Sequence, residues 1–167
     1  MSGADDPPGD AGPRGRAGHE TNVALLGAIV DRARGSLGAQ ACSILVHEPE
    51  SRLLVFAAIS GEGSESLVGV KMPDTTGVAG WVLAAREPLF LDDLASDRRF
   101  AEETAEIIGY VPKRLMAMPL LLADRVLGVL EVLDGLARSR FTAREIDQLG
   151  DFAYEAALAL ARDGRPR

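Results

Sequence analysis

This sequence predicts an α+β fold, an antiparallel sheet sandwiched with helices, and three observations carry the prediction. Two pairs of apolar runs, 42–48 with 52–60 and 114–122 with 125–133, are each joined by a short turn, as antiparallel hairpins are. Apolar residues at helical spacing bracket these hairpins, beginning at Thr21 and again after Thr142. Between the hairpins lie a short helical segment and a long polar stretch. The element order is therefore helix, hairpin, helix with lid, hairpin, helix.

The first 20 residues hold Pro7, Pro8 and Pro13 with Gly and charged residues and almost nothing apolar, which reads as a disordered tail. From Thr21, Val23, Leu26, Ile29, Val30, Ala33 and Leu37 recur at helical spacing, and Gly38 suits the end of that helix. In the run 52–60 both alternating faces are largely apolar, so the sheet is covered on both sides. After a Gly- and Ser-rich loop (61–69), Asp74, Thr75 and Thr76 offer capping oxygens before Val78, Trp81, Val82 and Ala85, which predicts a helix over 77–86. Pro88 ends it, Leu89 to Leu91 reads as a brief strand, and 92–113 reads as a loosely packed lid anchored by Leu94, Phe100, Ile107 and Ile108. The second hairpin turns at Ala123-Asp124. Thr142 and Glu145 form a capping box ahead of Ile146, Leu149, Phe152, Ala153, Ala156 and Leu160. One domain over 21–162, followed by a short stub at 163–167, accommodates all of this.

Composition narrows the function. Eighteen basic against 25 acidic residues give a net charge of −7, which opposes the phosphate electrostatics that nucleic-acid binding needs. Cys42, the one cysteine, leaves no intrachain disulfide and no multi-thiolate zinc site. No apolar run approaches the roughly 20 residues that span a bilayer, and the N-terminus lacks the apolar centre of a signal peptide. A cytoplasmic protein that engages neither membrane nor nucleic acid is expected, and the Ala-, Gly- and Arg-rich usage suits a bacterium of high GC content.

Several motifs stand in order along these elements: Gly77-Val-Ala-Gly80-Trp81, Glu87-Pro88, Asp97-Arg-Arg-Phe100, Met118-Pro119-Leu120, Arg125-Val-Leu-Gly-Val-Leu-Glu131 and Phe141-Thr-x-x-Glu145. Together they resemble a GAF domain over about residues 22 to 160. The resemblance implies a central antiparallel sheet of five or six strands, with the terminal helices on one face and a small-molecule pocket under loops and short helices on the other. It also implies a module that senses or regulates, with dimerisation through the terminal helices common in the family. Where the cyclic-nucleotide subgroup carries Asn-Lys and Asp-Glu pairs, this chain has Leu133-Asp134 and Glu145-Ile146, with Phe141 in agreement. That departure argues against cyclic-nucleotide binding. Cys42 at a strand start reads as core and not as a tetrapyrrole anchor, and His19 and His47 read as surface histidines and not as haem ligands. A lone thiol could not close a methionine-sulfoxide reductase cycle within this chain.

Glu131 is the most informative residue, because a carboxylate in an apolar strand must face solvent, pair with a cation or meet a ligand. Trp81 reads as pocket roof or as core, and Gly77 and Gly80 as anion-binding helix start or as close-approach glycines. Strand direction and the resemblance give a candidate pocket wall of Ile59, Val78, Trp81, Phe100, Ile107, Met118, Leu120 and Glu131. The leading expectation is a regulatory module that binds an unidentified small molecule there and signals to a separate protein. The competing one is a ligand-free interaction module, a homodimer joined through Val23, Leu26, Ile29 and Val30 with Leu149, Phe152, Ala153 and Ala156. No catalytic residue, metal or cofactor is expected.

Overall fold

The apolar stripes of the two long helices decide how the layers stack. Along α1 (Pro13–Ser36) Leu26, Ile29, Val30 and Ala33 are buried, and along α4 (Ala143–Asp163) Leu149, Ala153, Ala156 and Ala157 are buried in the same cluster. The two helices pack against each other and against one face of a sheet. The computed structural model describes residues 13–61, 65–135 and 141–163.

The sheet has six strands: β1 (Ala41–Glu48), β2 (Leu53–Gly61), β3 (Lys71–Pro73), β4 (Leu89–Leu91), β5 (Leu115–Leu122) and β6 (Arg125–Leu133), in the spatial order β3-β2-β1-β6-β5-β4. Every pairing is antiparallel. Both expected hairpins are present, closing at Glu48 opposite Leu53 and at Leu122 opposite Arg125. Ala123 takes positive φ (51°) in the second turn, a conformation an L side chain adopts at a cost. On the far face of the sheet α2 (Gly77–Ala85) and α3 (Arg98–Ile108) cover a second apolar cluster that includes Leu45, Phe56, Val82, Leu94, Leu115 and Val129. The α+β sandwich is thus three layers deep.

Register decides which strand residues reach which layer. Where Ile44 pairs with Ala58 and Leu45 with Phe56, β2 carries one extra residue, Ala57. The bulge reverses the alternation of β2. Leu54 and Phe56 belong to the α2/α3 side, Ala58 to the α1/α4 side, and Ile59 returns to the α2/α3 side.

Four expectations are corrected. The polar stretch 92–113 contains an 11-residue helix, α3, and not a loose lid; the Asp97 side chain accepts from the Phe100 N–H at 3.3 Å to start it, and Gly109, at φ 84°, ends it. A short strand, β3, pairs Met72 with Leu54 where a loop was expected to continue. Helix α1 begins at Pro13 and not at Thr21, so 13–20 are helical; proline suits a first turn, where its missing N–H would have had no partner. The rest of the expected tail, 1–12, and residues 164–167 of the stub lie outside the described residues.

The fourth correction concerns the expected dimer face. Leu26, Ile29, Val30, Leu149, Ala153 and Ala156 are between 0% and 3% exposed and fill this chain's own core, because the α1–α4 stripe is consumed in packing those helices on the sheet. Of the eight residues, the exposed Val23 and the half-buried Phe152, stacked under Arg32 at 5.7 Å, remain at the surface. Among the described residues, no helix is long and apolar enough to cross a membrane.

Candidate functional site

Side-chain alternation on the central strands sends Ser43 of β1, Leu115 of β5, and Glu131 and Leu133 of β6 to the α2/α3 side of the sheet. Across from them stand Thr76, Gly77, Val78 and Ala79 at the start of α2, and Thr104, Ile107 and Ile108 of α3. Phe56 and Ile59, aligned by the β2 bulge, close one end with Met72 and Leu67, and Tyr110 stands beyond the end of α3. These residues enclose a cavity of about 80 Å³.

Among the described residues, Glu131 is the one charged residue that lines it. It lies half-buried between Ser43 on β1 and Ala117 on β5, its direct neighbours in register. Among the described residues, no hydrogen bond or ion pair reaches its carboxyl, and loss of hydration alone raises its pKa from 4.5 to about 7. Around it the polar groups are hydroxyls: Ser43, Thr104, Tyr110, and Thr76, whose side chain makes no bond to the helix it precedes. Burial, the first cause, and then the charges of Glu131 and Asp31 push the Cys42 thiol up to about 12, so it stays protonated and unreactive at neutral pH. Its side chain packs in the α1/α4 cluster, in agreement with the core reading.

Of the expected pocket wall, Ile59, Val78, Ile107 and Glu131 do line the cavity. Met118 and Leu120 do not. They share the face of β5 that Met116 presents to the α1/α4 layer, so alternation carries them away from the cavity that Leu115 reaches. Phe100 is 7% exposed and fixes the start of α3 in the core beside the cavity. Trp81 is neither roof nor core: it is 36% exposed on the outer side of α2, over a shallow groove with Arg52 and Asp74. The α2 glycines divide. Gly77, at φ 62°, lines the cavity, whereas a Cβ on Gly80 would overlap the Thr75 backbone, so close approach explains that glycine. His47, expected at the surface, is part-buried, with its Nε2 3.2 Å from Asp74 Oδ2, and it does not line the cavity. Among the described residues no group of three or more His, Cys, Asp or Glu is placed to hold a metal ion.

A second constellation ties the cavity side to α4. Asp134 accepts from the backbone N–H groups of Lys113 and Arg114 at 2.8 and 3.0 Å, holding the start of β5 to the end of β6. The Arg114 guanidinium donates to the Gly135 carbonyl at 3.3 Å and to Asp92 at 3.4 Å, and lies 4.1 Å from the centre of the Phe141 ring. Phe141 leads directly into the capping box of α4, where the Glu145 carboxylate accepts from the Thr142 N–H at 2.7 Å and the Thr142 hydroxyl accepts from the Glu145 N–H at 3.2 Å. The capping box was legible; the arginine that abuts it was not, because Arg114 shares no sequence motif with Asp92, Gly135 or Phe141 and meets them only on folding.

Comparison with known proteins places this geometry. The family model described as the GAF domain matches residues 22–160. A curated relative, the probable 3',5'-cyclic phosphodiesterase pde-5 of Caenorhabditis elegans, is 30% identical over 100 residues, which are 58% of this chain and 13% of that protein. The matched stretch is therefore a small part of the relative's length. Among solved structures, the GAF domain of a phosphoenolpyruvate-protein phosphotransferase from Coxiella burnetii superposes with a TM-score of 0.74 at 19% identity, covering 89% of each chain. The GAF domain of the Acinetobacter phosphoenolpyruvate-protein phosphotransferase gives 0.72 at 18% identity, covering 90% of this chain and 95% of that one. At such identities these two likenesses speak to fold.

Proposed function

Because this chain belongs to the GAF domain family, we propose that it is a signal-transduction regulatory module that binds a small molecule in the cavity under α2 and α3 and passes the change to a partner protein through α1 and α4. The observation that carries the reading is Glu131: a carboxyl without a partner among the described residues, facing a cavity that those residues line otherwise with apolar groups and hydroxyls. A fold tolerates such a group at a cost, and a ligand that satisfies it would favour the state in which the cavity is closed around it. The path outward runs from Asp92, in the segment ahead of α3, through Arg114 to Phe141 and the first turn of α4. The module is read as non-catalytic, with its one thiol held protonated.

The competing reading, a ligand-free dimerisation module, has less to support it, since six of the eight residues assigned to its interface are spent in the chain's own core.

Native mass spectrometry of the purified chain, followed by a metabolite panel read through isoleucine methyl NMR, tests the proposal. A co-purified mass, or a metabolite that shifts the Ile59 and Ile107 methyls and leaves Ile44 unmoved on the opposite face, is the expected result. A bare protein whose cavity methyls ignore the whole panel would overturn it.

A further inference from the structure

The cavity's chemistry says more about its occupant, on the premise that it is a ligand site. We infer that it selects a compact ammonium ligand, an amine on a short aliphatic body, with the cationic head against Glu131 and the body among Phe56, Ile59, Val78 and Ile107.

Three observations converge. The first is sign. Among the described residues, Glu131 is the only charged one lining the cavity, and no Lys, Arg or His lines it. A carboxylate or phosphate ligand would meet a like charge there and find no cation to offset it, whereas an ammonium supplies the missing partner. Folding has already removed part of the water from Glu131, so the ligand does not bear that part of the desolvation cost.

The second is donor count. An ammonium has three N–H donors, and Ser43, which faces Glu131 across the β1–β6 pairing, and Thr76, with no capping bond, offer hydroxyl oxygens to the same space. The third is size. A volume of about 80 Å³ leaves room for a short amine.

The charge pairing makes binding pH-dependent. An ammonium prefers the ionised carboxylate, so its affinity is highest above the Glu131 pKa of about 7 and falls about tenfold per pH unit below it, each binding event there releasing a proton. The other titratable groups at the cavity do not share this range. The Cys42 thiol on β1 is held near 12, with Asp31 of α1 contributing, and the Tyr110 phenol is raised above 10 by burial and then by Asp134. Glu103 of α3 lies against Gly77 and does not line the cavity.

Three matched probes separate the alternatives: isobutylamine, isobutanol and isobutyrate, each titrated into the full chain near pH 8 and read from the Ile59 and Ile107 methyls. The amine is expected to bind at least about tenfold more tightly than the alcohol, with the acid weakest. Glu131→Gln should erase the preference and leave the alcohol unchanged. On the unmodified protein, lowering the pH to about 5 should weaken the amine and not the alcohol, which keeps the inference testable if the variant fails to fold. An amine no better than the alcohol, or a preference that survives in Glu131→Gln, overturns the ammonium assignment and leaves the cavity standing as a ligand site. If none of the three probes moves the cavity methyls, the ammonium assignment falls too, and the metabolite panel decides the cavity reading separately.

Discussion

Water lost from around Glu131 in the folded state raises its pKa from 4.5 to about 7, and that shift has a sign in stability. A raised value means that the folded chain holds the proton more tightly than the unfolded chain does. The stabilisation is complete below pH 4.5 and is lost as the pH rises through about 7. The corresponding free energy is at most roughly 3 kcal/mol. Glu131→Gln should therefore flatten the fall in stability between those pH values, and urea denaturation of both proteins across the range would show it; parallel profiles would mean that the carboxyl is hydrated in the folded state. At this scale the sequence was uneven. Glu131 could be singled out because a charge interrupts an apolar run. Ser43 and Thr76 could not, since a serine in a strand and a threonine before a helix have ordinary reasons to be there. Trp81 misled because a large ring suggests burial, while its position on α2 turns it outward.

Elements with strong periodicity were readable, namely the two hairpins and both terminal helices. Helix α3 was not, although its signals are present: Asp97 as cap, Phe100, Ile107 and Ile108 along one side, and Gly109 as stop. Three charged residues between the first and last of those apolar positions, Glu102, Glu103 and Glu106, mask the stripe, and only the packing of Phe100 under the helix reveals it. Replacing Asp97 with Ala removes the bond to the Phe100 N–H and should cost about 1 kcal/mol. Hydrogen exchange in the first turn of α3 should accelerate while α4 keeps its protection, and an unchanged α3 would show the cap to be dispensable. The β2 bulge was beyond reach for a different reason. Alternation in the sequence assigns Ile59 to the face of Val55 and Ala57, and only the pairing with β1 shows that Ala57 is an extra residue and that Ile59 changes sides. The same limit accounts for Met118 and Leu120: alternation shows that they share a face, and the helices alone show which face it is.

The whole molecule is three layers joined at few places, and Arg114 is one of them. It is 5% exposed and reaches Asp92, Gly135 and Phe141 at once. Arg114→Met preserves the bulk and removes the donors and the charge, and should lower stability by roughly 2 kcal/mol. With a cavity ligand in hand, the same variant should still bind it but should no longer transmit the change to the Ile146 methyl in the first turns of α4; transmission that survives would place the path elsewhere. The sheet's borders have a consequence of their own. Its two outermost strands, β3 and β4, are three residues long, and β3 ends in Pro73, which has no N–H to give. Such edges cannot template a growing ribbon of neighbouring chains, and a net charge of −7 adds mutual repulsion. Crowded copies should therefore stay in solution and not zip together edge to edge, which leaves helices and loops as the surfaces on which selection can build an association without endangering solubility.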